Sequence, residues 1–213
     1  MLKRFSKNVL IPFAYFLRYG TSFREKVNVR LHVKKSKRVR LHGSHHLYNV
    51  EIGDYTYLAK NAYVFRTSIG KYCSIGPNFL CGWGIHPTKG ISTSPMFYST
   101  QKQNGYSCCK KNKIAETKEI TIGNDVFIGA NVTVIDGVDI GDGAIIGAGA
   151  VVSKNIPPYA IAVGCPIKII GYRFENEIIN KLLKVKWWEN GEKWHHLIES
   201  DFFDVEKFLS QIE

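Results

Sequence analysis

Ile122-Gly-Asn-Asp-Val-Phe, Ile128-Gly-Ala-Asn-Val-Thr, Val134-Ile-Asp-Gly-Val-Asp, Ile140-Gly-Asp-Gly-Ala-Ile, Ile146-Gly-Ala-Gly-Ala-Val and Val152-Ser-Lys-Asn-Ile-Pro follow one another in a single frame. An apolar residue leads each six-residue unit, and four places later stands a small or branched one: Val126, Val132, Val138, Ala144, Ala150, Ile156. Glycine follows the lead residue in four of the six units (Gly123, Gly129, Gly141, Gly147). Six residues make one short strand, at about 3.3 Å per residue, plus a turn, and glycine permits turn conformations that other residues resist. The lead residue points inward and stacks on its equivalent in the next coil, while the small residue leaves room at the corner. Three such faces close a triangular coil. No coil buries its apolar face alone, so stacked coils share one core. Hairpins of an antiparallel β-domain rarely keep so constant a spacing. Gly141-Asp-Gly143-Ala-Ile-Ile-Gly147 has the wrong spacing for a dinucleotide-binding turn and lies inside the repeat rather than between a strand and a helix. The expected fold is an all-β solenoid, a parallel β-helix.

Working outward, a weaker copy precedes the strong one: Ile52-Gly-Asp-Tyr-Thr-Tyr, Leu58-Ala-Lys-Asn-Ala-Tyr, Val64, then a one-residue slip before Ile69-Gly-Lys-Tyr-Cys-Ser and Ile75-Gly-Pro-Asn-Phe-Leu. Val27, Val33 and Val39 keep the spacing more faintly, so the solenoid is assigned to residues 27–170. Residues 83–119 interrupt it with a polar, basic stretch that shows no repeat; a loop of such length is usually functional. Residues 1–26 read as a basic amphipathic segment with Phe5, Val9, Phe13, Phe16 and Leu17 at helical spacing. Residues 171–213 read as C-terminal helices: the first starts near Glu175, and one more, after Asn190-Gly191, carries Trp194 through Phe208. A helical cap is expected where terminal coils expose apolar edges.

The 213 residues are 45% hydrophobic and 22% charged, as in a soluble globular chain. No apolar run approaches the ~20 residues of a membrane span. The first residues resemble a signal peptide, but Arg18 follows the apolar stretch without a small-residue cleavage site. A cytoplasmic location is therefore expected. The five cysteines (73, 81, 108, 109, 165) form no Cys-x-x-Cys pair, so reduced thiols and no metal site are expected. The net charge is +11, and residues 1–40 hold twelve Lys or Arg against Glu25 alone. That cluster favours an anionic partner, here peripheral association with an anionic membrane at the inner face; with no nucleic-acid-binding motif, no nucleic acid is expected.

The coils, the loop beginning Trp83-Gly-Ile-His86-Pro87, and the exit Ser153-Lys-Asn-Ile-Pro-Pro-Tyr-Ala-Ile-Ala-Val-Gly-Cys-Pro resemble the left-handed β-helix (hexapeptide-repeat) acetyltransferases. Leu182-Leu-Lys-Val-Lys-Trp187-Trp188 is similar to the xenobiotic-acetyltransferase branch, which includes chloramphenicol, streptogramin and sugar O-acetyltransferases. The resemblance implies left-handedness, a homotrimer with active sites between subunits, and acetyl-CoA as co-substrate. His86 matches the catalytic base of that family. Direct transfer from a thioester needs a group to deprotonate the acceptor, and an imidazole suits that task. The resemblance also implies CoA contacts at Ala130, Ala148, Ser153, Lys154, Lys168 and Arg173, and acceptor contacts at Asn78 and Trp83. Phe127 stands where many relatives carry Trp.

His86-Pro-Thr followed by Ser92-Thr-Ser-Pro-Met-Phe-Tyr98 resembles the polysaccharide O-acetyltransferases more than the antibiotic-inactivating ones. The expected function is acetyl transfer to a sugar or glycan hydroxyl in capsule or lipopolysaccharide biosynthesis. Alternatives are N-acetylation of an amino-sugar nucleotide, antibiotic acetylation, and a non-catalytic β-helix scaffold.

Overall fold

The computed structural model of the chain describes residues 28–212; the segment 1–26 read as amphipathic, and Val27 with it, lies outside them. The described residues form a left-handed parallel β-helix with an inserted loop and a C-terminal helical cap. Its strands are β1 (Val29–Lys35), β2 (Arg40–Leu41), β3 (His45–Ile52), β4 (Tyr57–Leu58), β5 (Ala62–Ile69), β6 (Ser74–Ile75), β7 (Leu80–Cys81), β8 (Ile120–Ile122), β9 (Phe127–Ile128), β10 (Thr133–Val134), β11 (Asp139–Ile140), β12 (Ile145–Ile146), β13 (Val151–Val152), β14 (Ala160–Val163) and β15 (Lys168–Tyr172).

Three columns of lead residues fill the core in register. Leu47, Val64, Cys81, Val134 and Val152 stack on one face. Ile52, Ile69, Ile122, Ile140 and Ile156 stack on the second, and Leu58, Ile75, Ile128, Ile146 and Ala162 on the third. All are buried, as are the small corner residues Val126, Val132, Val138, Ala144 and Ala150, whereas Ile156, expected at a corner, sits in the second column. Both halves of the six-residue rule therefore describe the interior.

The one-residue slip has a physical cause. Equivalent corner residues lie 17 apart in the upstream coils but 18 apart downstream. In the upstream coils β3 and β5 run straight through one corner, which turns at a single residue of positive φ, Asn49 (52°) or Arg66 (47°). At another corner Asn61, Asn78 and Asn131 adopt positive φ, and their amides hydrogen-bond in a ladder, Asn61 to Asn78 at 3.0 Å and Asn78 to Asn131 at 2.8 Å. Asparagine tolerates this conformation and pairs its amide locally.

The end of the solenoid differs from expectation. β15 pairs antiparallel with β14 and crosses the expected boundary at residue 170, because the turn at residues 164–167 reverses the chain. Helices follow as α1 (Asn176–Val185), α2 (Gly191–Ser200) and α3 (Val205–Ile212). Two helices thus replace the one expected after Gly191, since Asp201–Asp204 form a turn between them. The cap buries Ile179, Leu182, Phe208 and Leu209 against Tyr159. Gly143, at φ +68°, makes this possible: a Cβ there would come 2.4 Å from the Tyr159 ring. Arg173 clasps the joint. It pairs with Asp125 at 2.8 Å, donates to the Gly143 carbonyl at 2.9 Å, and lies over the rings of Tyr159 and Phe174. Burial raises the Asp125 carboxyl above its ordinary range, even with the Arg173 guanidinium beside it. Farther up, Glu192 holds Arg38 and Tyr55, tying α2 to the early coils.

All five cysteines are free. Cys73 and Cys81 are core residues, and burial pushes both thiols up to about 12. Among the described residues, no helix is long and apolar enough to cross a membrane.

Candidate active site

The chain leaves the first face at Cys81 through two glycines of positive φ, Gly82 (69°) and Gly84 (95°). A Cβ on Gly82 would sit 2.6 Å from the Phe65 carbonyl, so the exit requires glycine. The neck of the loop is closed by Ile85 N–H, which donates to the Glu116 carbonyl at 2.7 Å, and by the Asp136 carboxylate, which accepts from Gly84 N–H at 2.9 Å and Lys118 N–H at 3.1 Å. These bonds bring the two ends of the insertion together directly beside His86.

The loop expected to lack structure of its own is ordered by polar side chains rather than by repeats. A short 3-10 turn, Pro95–Phe97, places Tyr98 and Ser99 inside. Asn112 accepts from both the amide and the hydroxyl of Thr100 at 2.8 Å. Gln103 donates to Glu116 Oε2 at 2.8 Å and to Ser99 Oγ at 3.2 Å.

His86 is exposed at the start of this loop. Its Nδ1 lies 2.9 Å from the Thr93 carbonyl and 2.8 Å from the Tyr98 hydroxyl. A carbonyl can only accept, so Nδ1 carries the proton and Nε2 keeps its lone pair. That is the tautomer a general base needs. Tyr98 is only 5% exposed, and burial, with the nearby Glu116 charge, raises its phenol; it remains a neutral hydrogen-bonding partner of the imidazole. A cleft of about 730 Å³ opens at His86, lined also by Tyr48, Phe65, Trp83, Tyr98 and Glu116. Tyr48 and Phe65 stack at 4.8 Å, and Trp83 leans over Tyr63 at 5.9 Å, so the wall is aromatic.

Of the residues expected at a site, His86 and Trp83 meet in this cleft. Asn78 does not: its amide is held in the asparagine ladder at another corner. Ala130 and Ala148 neighbour that same corner, where Gly149 N–H donates to the Ala130 carbonyl at 2.8 Å. Ser153 and Lys154 are exposed just past β13, and Lys168 is exposed at the start of β15. Neither lysine forms an ion pair among the described residues, so both ammonium groups are available to an anion. Arg173 is different, since its guanidinium is engaged by Asp125. Phe127 is 46% exposed on the third face.

Sequence reading did not place Tyr98, Arg66 or Glu116 in the lining of this cleft. Tyr98 stood in the quoted Ser92–Tyr98 string, twelve residues beyond His86. Nothing in the spacing marked Glu116, which is tied to the site by its carbonyl's bond to Ile85 and its carboxylate's bond to Gln103. Among the described residues, no cluster of His, Cys, Asp or Glu could hold a metal ion.

A solenoid of six-residue turns carrying a histidine on an inserted loop defines a class, and the comparisons agree with it. The model of the bacterial transferase hexapeptide family (six repeats) matches residues 119–154. A probable macrolide acetyltransferase of Lysinibacillus sphaericus is 42% identical over 135 residues, covering 59% of this chain and 71% of that protein. A chloramphenicol acetyltransferase of Agrobacterium fabrum is 37% identical over 135 residues, covering 62% of this chain. The match spans 64% of that enzyme, under two thirds of its length. Among solved structures, a maltose O-acetyltransferase from Clostridium difficile superposes with a TM-score of 0.52 at 26% identity, covering 67% of this chain and 70% of that one. The chain belongs to the hexapeptide-repeat acetyltransferases.

Proposed function

We propose that the protein transfers an acetyl group from acetyl-CoA directly to a hydroxyl of a sugar or glycan, with His86 as general base, in capsule or lipopolysaccharide biosynthesis. The observation that supports the reading is the setting of His86 Nδ1, 2.9 Å from the Thr93 carbonyl: a carbonyl can only accept, which favours a proton on Nδ1 and a lone pair on Nε2 facing the acceptor. Acetyl-CoA supplies an acyl thioester; the protein's part is to remove the acceptor proton at Nε2, orient the acceptor against the aromatic wall, and hold the nucleotide end. Lys154 and Lys168 suit that last task, because exposed ammonium groups form charge-assisted bonds with phosphates. Ala130, Ala148 and Ser153 offer backbone along the same path, whereas Arg173 is better explained as the clasp of the cap. The reading is tested by release of CoA thiol from acetyl-CoA with sugar acceptors.

A second reading is supported by the curated relatives, several of which are chloramphenicol acetyltransferases at 33–37% identity. It puts the hydroxyl of an antibiotic in the same cleft, and the same assay with chloramphenicol discriminates the two. N-acetylation of an amino sugar and a non-catalytic scaffold have no comparable observation behind them. The basic residues near the N-terminus support peripheral association with an anionic membrane.

Tyr98 is proposed to position the imidazole. Tyr98→Phe removes one of two contacts to Nδ1 while Thr93 keeps the tautomer. We expect kcat to fall about five- to tenfold, the worth of one hydrogen bond, with the KM for acetyl-CoA unchanged. Unaltered kcat would show that Thr93 suffices.

A homotrimer is proposed as the working unit, because a cleft on the side of one prism gains its second wall from a neighbour. Light scattering should give three chains per particle, and dilution to the monomer should abolish transfer. A fully active monomer would overturn this.

A further inference from the structure

The insertion that carries His86 leaves the solenoid at Gly82 and rejoins it at Ile120, the first residue of β8. β10 pairs in register with β7, Thr133 with Leu80 and Val134 with Cys81, so the turn that follows β10 lies beside the point of departure. Asp136 stands in that turn, half-buried. Its two carboxylate oxygens are divided between the two ends of the insertion: Oδ2 accepts from Gly84 N–H and Oδ1 from Lys118 N–H. The other tie from the coils, the exposed Arg66–Glu119 pair at 3.3 Å, reaches only the returning end.

The three segments meet closely. A Cβ on Gly137 (φ 80°) would come 2.9 Å from the Lys118 side chain, and a Cβ on Gly84 (φ 95°) 3.2 Å from the Glu116 carbonyl. One rung farther along, Ile85 N–H bonds the Glu116 carbonyl, and His86 follows. The partners of the imidazole, the Thr93 carbonyl and the Tyr98 hydroxyl, belong to the insertion itself. They orient the ring within the loop and say nothing of its place over the coils. The opposite wall of the cleft, Tyr48 and Phe65, belongs to β3 and β5. The base and that wall are therefore related through the neck.

We propose that Asp136 is a positioning residue for acetyl transfer, whose carboxylate pins both ends of the insertion to the turn after β10 and so sets His86 over the coil wall of its cleft. The inference rests on the reading of His86 as general base. A carboxylate suits this task because it only accepts and has two oxygens, so it satisfies both N–H groups at once with charge-assisted bonds. An asparagine has one acceptor oxygen, and its amide N–H group would confront the second donor. Displacing a reacting group by about 1 Å can cost about 10²-fold in rate.

The test uses the full chain with Asp136→Ala, Asp136→Asn and His86→Ala, and each Asp136 variant combined with His86→Ala. CoA thiol release from acetyl-CoA is followed with maltose, glucosamine and chloramphenicol, and thermal melting and light scattering accompany each variant. With the probe that the unaltered protein acetylates, Asp136→Ala should lower kcat about 10- to 100-fold and leave the KM for acetyl-CoA unchanged. Asp136→Asn, which keeps one of the two bonds, should fall between. In the His86→Ala background neither Asp136 variant should lower the residual rate further, because no base is left to misplace. An equal loss in that background would show that Asp136 supports something other than the base, and would overturn the inference. Unchanged kcat in Asp136→Ala, or a raised KM for acetyl-CoA alone, would do the same and leave the catalytic reading standing. Should Asp136→Ala fail to fold, Asp136→Asn decides by the same criteria; failure of both to fold would make Asp136 a residue of stability and overturn the inference. Transfer to none of the probes, or full activity of His86→Ala, would remove the catalytic reading and the inference with it.

Discussion

Replacing His86 with alanine should lower acetyl transfer by about 10²–10⁴, the usual contribution of a positioned acid–base group, while the melting temperature stays within error. The two halves of the expectation have separate causes. The imidazole is exposed and lies outside the stacked columns of the core, so no packing depends on it. Its two polar contacts, to the Thr93 carbonyl and the Tyr98 hydroxyl, belong to the loop and not to the coils. Loss of the ring leaves the cleft, the aromatic wall and the lysines in place, so the KM for acetyl-CoA should change little. The readout is initial-rate thiol release beside a thermal melt. Near-normal turnover in a folded variant would remove His86 from the mechanism.

Arg173→Met should cost about 3 kcal/mol of stability, as expected when one partner of a largely buried ion pair is removed. In a chain of this size that is about 6–12 °C in Tm. The remaining Asp125 is mostly buried, with 28% of its side chain accessible. Burial already raises its carboxyl in the folded state, and the guanidinium opposes that rise. With Arg173 gone the rise grows. A folded-state carboxyl that holds its proton more tightly than the unfolded one destabilises the fold as pH rises from the unfolded carboxyl's value to its own raised value, above which the penalty is complete. Acidification relieves the penalty as the proton returns. The Tm deficit should therefore be larger at about pH 7.5 than at about pH 5, and Asp125→Asn in the same background should recover part of it. An equal deficit at both pH values would assign the loss to packing of the guanidinium over Tyr159 and Phe174, not to charge.

How far these sites were legible in the sequence depends on the range of the interactions that make them. The stacked columns could be read from residue 122 onward because each coil repeats the same local problem. A strand, a turn and an inward aliphatic recur every six residues, and the pattern survives as spacing alone. The one-residue slip was visible as a defect. Its cause, a corner turned at Asn49 and Arg66, required backbone conformation. Arg173 shows the opposite case: its place just beyond the exit segment made it a candidate for phosphate, yet its position opposite Asp125 is fixed by the fold of the cap.

The sequence by itself determined the solenoid, the insertion at residues 83–119 and the candidacy of His86, because periodic burial and a break in it are local properties of the chain. Only the tertiary structure decided that His86 Nδ1 faces the Thr93 carbonyl, that Tyr98 touches the ring, and that Glu116 lines the same cleft. Those facts depend on the closure of the loop neck between Ile85 and Glu116, a contact between residues far apart in the chain. No residue spacing encodes such a contact, since it follows from how the insertion's own polar groups find their partners.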